Sequence, residues 1–86
     1  MEHQIKIRKH YLVDILEGIK TFEVRKNDRN YQLGDVLVLN EWEPADEILN
    51  IGDYSGKKAR VKVDYIFYMD EMIKGCEYCV MGIIVL

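Results

Sequence analysis

The most restrictive stretch of this chain is residues 58–67, reading Lys58-Ala59-Arg60-Val61-Lys62-Val63-Asp64-Tyr65-Ile66-Phe67. Ala59, Val61, Val63, Tyr65 and Phe67 fall on one side of an alternating pattern, and Lys58, Arg60 and Lys62 on the other. A repeat of two belongs to a β-strand, whose successive side chains point to opposite faces. Such a strand needs both partner strands and cover for its apolar side, so the rest of the chain must supply a sheet.

It does so in short pieces. Residues 3–8 alternate from Ile5 onward and predict a first strand. Thr21 to Arg25 alternates Phe22 and Val24 against Thr21, Glu23 and Arg25, which puts Glu23 and Arg25 on one face. After the turn at Leu33-Gly34-Asp35, Val36-Leu37-Val38-Leu39 is apolar on both faces and Pro44 is expected to end the run. Residues 44–56 read as the longest loop, residues 69–75 as a connection, and Tyr78 to Leu86 as a central or closing strand. Only one segment has helical spacing: Tyr11, Leu12, Ile15, Leu16 and Ile19 share a stripe, Asp14 and Glu17 face away, and Gly18 stands where a left-handed helix-ending residue is wanted. The expected fold is α+β and mainly β, a small barrel-like sheet of about five strands plugged by one early amphipathic helix.

Eighty-six residues make one domain, residues 1–86, at the small end of what a single core holds together without metals or crosslinks. No apolar leader follows the first charges and the longest apolar run is too short to span a bilayer, so a cytoplasmic chain with no membrane partner is expected. Cys76 and Cys79 are then reduced thiols at a strand entry; with only His3 and His10 to join them, and those oddly spaced, neither a metal nor any other cofactor is expected. The two histidines read as surface or strand-end residues.

A net charge of -3 argues against nucleic acid, but the charges are segregated. Residues 5–29 carry seven Lys or Arg against four acids, residues 57–62 four bases and no acid, and residues 35–53 six acids and no base. The densest cluster follows the helix, in Gly18-Ile19-Lys20-Thr21-Phe22-Glu23-Val24-Arg25. A carboxylate beside lysine and arginine orients both cations, either as a plain salt-bridge network or as a rigid receptor for a phosphate, a carboxylate or a base edge.

The spacing GxKxxExR over residues 18–25, followed by Gly34-Asp35 before an apolar strand, Tyr54-Ser55-Gly56-Lys57 opening another and an apolar carboxyl end, resembles the ASCH group of small domains, related in fold to PUA domains. The likeness spans most of the chain and points to a compact ASCH-like family of bacteria and their phages. It implies a PUA-like β-barrel whose motif lines a cleft between helix and barrel, where nucleic acid or a modified nucleoside sits. Some members are amidohydrolases that release acyl groups from the exocyclic amine of cytidine, with the motif lysine, a threonine three residues later and a distant glutamate. Lys20 matches that lysine, whereas Glu23 occupies the threonine's place and removes the expected hydroxyl; Thr21 is the conceivable replacement.

Three readings follow. The first is an RNA-binding or nucleotide-binding domain in which Lys20, Glu23 and Arg25 form the cleft, Lys26, Asn27 and Arg29 clamp phosphates from the next loop, and Tyr54 and Lys57 contribute from another. Trp42, Tyr31, Tyr65 and Tyr68 are further rings for stacking, although a core role suits Trp42 equally. The second is hydrolysis of an N4-acylcytidine-like nucleoside by Lys20, Glu23 and Thr21. The third is a protein-interaction module using the acidic stretch with Glu41, Glu43, Asp46 and Glu47.

Overall fold

The computed structural model describes residues 1–46 and 48–86. Along the chain run β1 (Glu2–Ile7), α1 (Lys9–Leu16), β2 (Phe22–Lys26), β3 (Val36–Asp46), β4 (Ile51–Tyr68) and β5 (Tyr78–Val85), with one turn of 3₁₀ helix, Met69–Glu71, between the last two. The strands form a single mixed sheet in the order β1-β3-β4-β5-β2. β1 lies parallel to β3, and the other neighbouring pairs are antiparallel. The fold is α+β and mainly β, with five strands and one helix.

The sheet curls around a core to which β1 gives Ile5 and Ile7, β3 Leu37 and Leu39, β4 Val61 and Val63, and β5 Cys79, Met81 and Ile83. α1 plugs the open side, but it buries only Leu12 and Ile15; Tyr11, Leu16 and Ile19, expected on the same stripe, remain exposed. Burying side chains of this size stabilises by about 1.5–3 kcal/mol each, so two of them hold a two-turn helix that propensity alone would not. Among the described residues no helix is long and apolar enough to cross a membrane.

The curl brings β1 and β2 together at the ends of the sheet, yet no strand ladder joins them. Side chains bridge the seam instead. Arg25 Nη2 donates to Lys6 O at 2.6 Å, and Arg29 Nη1 donates to Gln4 O. Two carbonyls on the free edge of β1 are thereby satisfied without a neighbouring strand.

Several boundaries differ from expectation. Pro44 does not end β3, and most of residues 44–56 is strand, with a turn at residues 48–50: β3 and β4 continue as a hairpin with Trp42 opposite Tyr54 and Pro44 opposite Gly52. The pairing of β1 stops at Ile7 with Glu41, so beyond that point β3 has a free edge where proline's missing N–H costs no ladder bond. The alternation of residues 58–67 also breaks. A bulge between Val63 and Tyr65 turns Ile66 toward the core and leaves Tyr65 exposed, reversing the expected sides. His3, expected at the surface or at a strand end, lies near the start of β1 but is buried and meets Asp35 Oδ2 at 2.8 Å, with its ring edge-on to the buried Tyr31.

Two predictions follow from this frame. Burial raises the pKa of Asp35, but His3, the Gln32 amide at 3.0 Å and the chain's amino group at 3.0 Å outweigh it and hold the carboxyl down at about 2. Because that lies below an aspartate's ordinary value of ~3.9, the contribution is complete above about pH 5 and disappears as pH falls toward 2. Unfolding free energies of Asp35→Asn from denaturant titrations across this range should be lower at neutral pH, by on the order of 2 kcal/mol, and should converge on those of the parent at low pH. The second concerns Gly52, where an added Cβ would stand 2.3 Å from Glu43 O and 2.5 Å from the Trp42 ring. Gly52→Ala should cost about 1–3 kcal/mol and change the emission of Trp42, the chain's one tryptophan.

Candidate functional site

The site begins at the end of α1. Gly18 adopts a left-handed φ of 77°, and the amides of Ile19 and Lys20 both donate to Asp14 O, at 2.9 and 3.0 Å. This turn delivers Lys20 to the entrance of β2. The register of β2 on β5 then fixes its faces: Glu23 stands opposite Met81 and Arg25 opposite Cys79, and both partners are fully buried. β2 therefore turns its charged pair inward and leaves Phe22 and Val24 about half exposed.

Glu23, 3% exposed, is held from two sides. Lys20 Nζ bonds Oε1, and Arg25 Nε donates to Oε2 at 2.9 Å. Arg25 also reaches Lys6 O across the seam, so one guanidinium fixes the carboxylate and the neighbouring strand together. The Lys20 ammonium lies 4.5 Å from the centre of the Tyr11 ring and 5.6 Å from that of Phe22.

Beside this cluster, where β1 and β2 lack a ladder, opens a half-open cavity of about 530 Å³. Its charged lining is Lys6, Arg8, Lys20 and Arg25 against the single carboxylate of Glu23, and its aromatic lining is Tyr11, Phe22 and Trp42. Lys6 Nζ lies 4.1 Å from the centre of the Trp42 ring and bonds Asn50 Oδ1 at 3.0 Å, tying β1 to the hairpin. Arg8 lies 3.6 Å from Glu43, whose other oxygen accepts from the Lys9 amide at 2.8 Å.

Of the residues singled out from the sequence, Lys20, Glu23 and Arg25 come together in this cavity. Trp42, named as a further ring for stacking, also lines it, whereas Lys26, Asn27, Arg29, Tyr54, Lys57 and Thr21 do not. Lys26 pairs with Glu77 at 3.2 Å, an interaction that raises the lysine's pKa. Asn27 shapes the turn by accepting from the Tyr31 amide, and Arg29 is spent on Gln4 O. Tyr54 and Lys57 lie on the outer arm of β4, in a strand and not in a loop, and Thr21 is exposed beyond the rim. Tyr31 is a core residue. Lys6, Arg8 and Tyr11 were missed by sequence reasoning; the polar phase of the β1 alternation marked Lys6 and Arg8 as outward, but nothing local placed them beside β2.

In the acidic stretch Glu41 is buried, Glu43 is exposed and engaged by Lys9 and Arg8, Asp46 is exposed and accepts from the Leu49 amide at 3.0 Å, and Glu47 lies outside the described residues. Cys79 is a core thiol whose pKa is pushed up by burial, and Cys76 is partly exposed in the turn before β5. Among the described residues no group of three or more His, Cys, Asp or Glu is placed to hold a metal ion.

Comparison with known proteins adds a family and a fold. The chain is 38% identical over 61 residues to the "Uncharacterized 12.9 kDa protein in GpA 3'region" of Escherichia phage P2, a match covering 71% of this chain and 50% of that protein. The chain thus spans about half the length of that relative. The crystal structure of "hypothetical protein PH0355" superposes with a TM-score of 0.66 over the whole of both chains at 18% identity, a likeness of fold alone. A family model matches residues 2–83, and on that extent the chain belongs to the family described as a domain of unknown function, DUF3850.

Proposed function

We propose that this domain binds RNA or a nucleotide-like ligand in the cavity at the β1–β2 seam. The observation that carries the reading is the lining: four cations and three aromatic rings converge on one hollow around a single buried carboxylate. A volume of about 530 Å³ falls within the ~300–1,000 Å³ range of small-ligand sites and suits one nucleoside with its phosphate. Cations serve anionic oxygens, rings serve the faces of a base, and Glu23 offers an acceptor to a base amine. The resemblance of residues 18–25 to the ASCH motif supports the same site. With few converging cations the binding is weak to moderate and salt-sensitive, with a slope of roughly -2 to -3 for a single strand engaging up to four of them.

Removing Lys20 alone would leave a buried carboxylate half-paired, a defect of about 3–5 kcal/mol, so the informative variant is Lys20→Ala with Glu23→Gln. In an amide chemical-shift titration with single-stranded RNA, N4-acetylcytidine and free nucleotides in parallel, shifts should concentrate at residues 6–11, 20–25 and 42. The folded double variant should lose about tenfold or more in affinity, in line with ~1.5–3 kcal/mol for charged hydrogen bonds. Shifts confined to other surfaces, or an affinity untouched by the double variant, would remove the cavity from the proposal.

A second reading, hydrolysis of an N4-acylated cytidine, rests on the Lys20–Glu23 pair inside a nucleoside-sized hollow. There Lys20 polarises the amide carbonyl and Glu23 receives the proton of an attacking water. Among the lining residues only Tyr11 carries a hydroxyl, a phenol, and Thr21 is not part of the lining. Product release from N4-acetylcytidine that disappears in Lys20→Ala while that variant remains folded supports this reading; no product at high protein concentration ends it.

A further inference from the structure

The outer face of the sheet carries a pattern that the cavity leaves unused. Register places Phe22, Gly82 and Tyr65 side by side across β2, β5 and β4, and in the next row Val24, Val80 and Phe67. Their inward counterparts, Glu23, Met81 and Ile66, face the core, so these two rows face away from it. Phe22 is 45% exposed and Tyr65 65%. The Asp64 bulge creates this face, since regular alternation would have turned Tyr65 inward. Gly82 keeps its middle low: an added Cβ there would stand 2.5 Å from Asp64 Oδ1 and 3.3 Å from Tyr65 Cβ.

Further along β4, Lys58, Arg60 and Lys62 extend this outer side, opposite in phase to the inward Ala59, Val61 and Val63, and Lys62 stands across from Ile84. All three cations are exposed, with Arg60 in contact with Glu2 at 3.0 Å. Aromatic rings adjoining a row of cations on a sheet form a stacking platform with phosphate partners, the arrangement that grips unpaired nucleic acid. The face is also continuous with the cavity, because Phe22 and Val24 belong to both.

We infer that the outer face of β2, β5 and β4 is a second contact surface for single-stranded RNA, which leaves the cavity over Phe22, stacks bases on Tyr65 and Phe67 and lays its phosphates along Lys62 and Lys58. Asp64, over Gly82 between the rings, is placed to accept from base amines. The inference rests on the cavity reading and extends it from one nucleotide to a strand.

Tyr65 and Lys62 lie outside the cavity lining, so their replacement separates the two surfaces. The test compares cytidine monophosphate with an unstructured oligoribonucleotide of about twelve nucleotides, within the range one such platform spans. The parent should bind the oligonucleotide more tightly than the monophosphate. Tyr65→Ala with Lys62→Ala should weaken the oligonucleotide about tenfold and flatten its salt slope by roughly 0.7, leaving the monophosphate unchanged. Tyr65→Phe, which keeps the ring, should bind as the parent does, and unchanged monophosphate binding by the double variant excludes a folding defect as the cause. If the monophosphate shifts the cavity amides but the oligonucleotide gains nothing, or the double variant binds it undiminished, the outer face falls and the cavity stands. If neither ligand binds, both fall. A concentration-dependent dimer dispersed by Tyr65→Ala, with RNA affinity unaltered, overturns the inference by assigning the face to a second copy of the chain.

Discussion

One guanidinium connects the parts of this molecule that the backbone leaves apart. Arg25 holds the buried carboxylate of Glu23 through Nε and the Lys6 carbonyl of β1 through Nη2, at 2.9 and 2.6 Å. Arginine suits the task because its planar fork presents five donors in fixed directions and is weakly hydrated. A strand ladder between β1 and β2 would have satisfied the same edges and closed the sheet, leaving no hollow. Side-chain bridging satisfies part of the edge and leaves the space in which ligand-sized volume survives. The cavity is therefore a consequence of how the seam is joined.

Charge follows the same logic. A chain with net charge -3 gathers four cations around one carboxylate at the seam, with Glu43 reaching Arg8 from outside the lining and several other acids engaged elsewhere. Glu43 holds the first amide of α1, Glu77 pairs with Lys26, Glu2 with Arg60, and Asp35 with His3 in the interior. Counts along the sequence treated the acidic stretch as one surface and the loop after β2 as one clamp. The fold distributes both into separate contacts, most of which tie one element to another.

The strands were legible because the physics that sets them is local: alternation for β4, two apolar faces for the start of β3, an unbroken apolar run for β5. The helix was legible in its existence but not in its buried stripe, since only the curl of the sheet decides that Leu12 and Ile15 are covered while Tyr11 borders the cavity. Pro44 misled because its cost depends on whether a second strand lies beside it, and the pairing of β1 ends three residues earlier, at Glu41. The bulge at Asp64 has no local signature stronger than a polar residue in an apolar run, yet it reverses every side chain that follows. The motif residues Lys20, Glu23 and Arg25 could be grouped from spacing; Lys6 and Arg8 could not, because a dozen residues of helix and turn separate them from β2 in the chain.

Local preference thus determined most of the extended segments though not the outer arms of β3 and β4, which segment is helical, and that a carboxylate with two cations would sit at a helix exit. Tertiary structure alone decided which face of β2 turns inward, which lysines share a hollow, and that β1 and β2 meet without pairing. The division has a physical cause. Side-chain periodicity and turn chemistry act over a few residues, whereas register, bulges and sheet closure are set by partners distant in sequence, and a shift of a single position moves a side chain from the core to the surface.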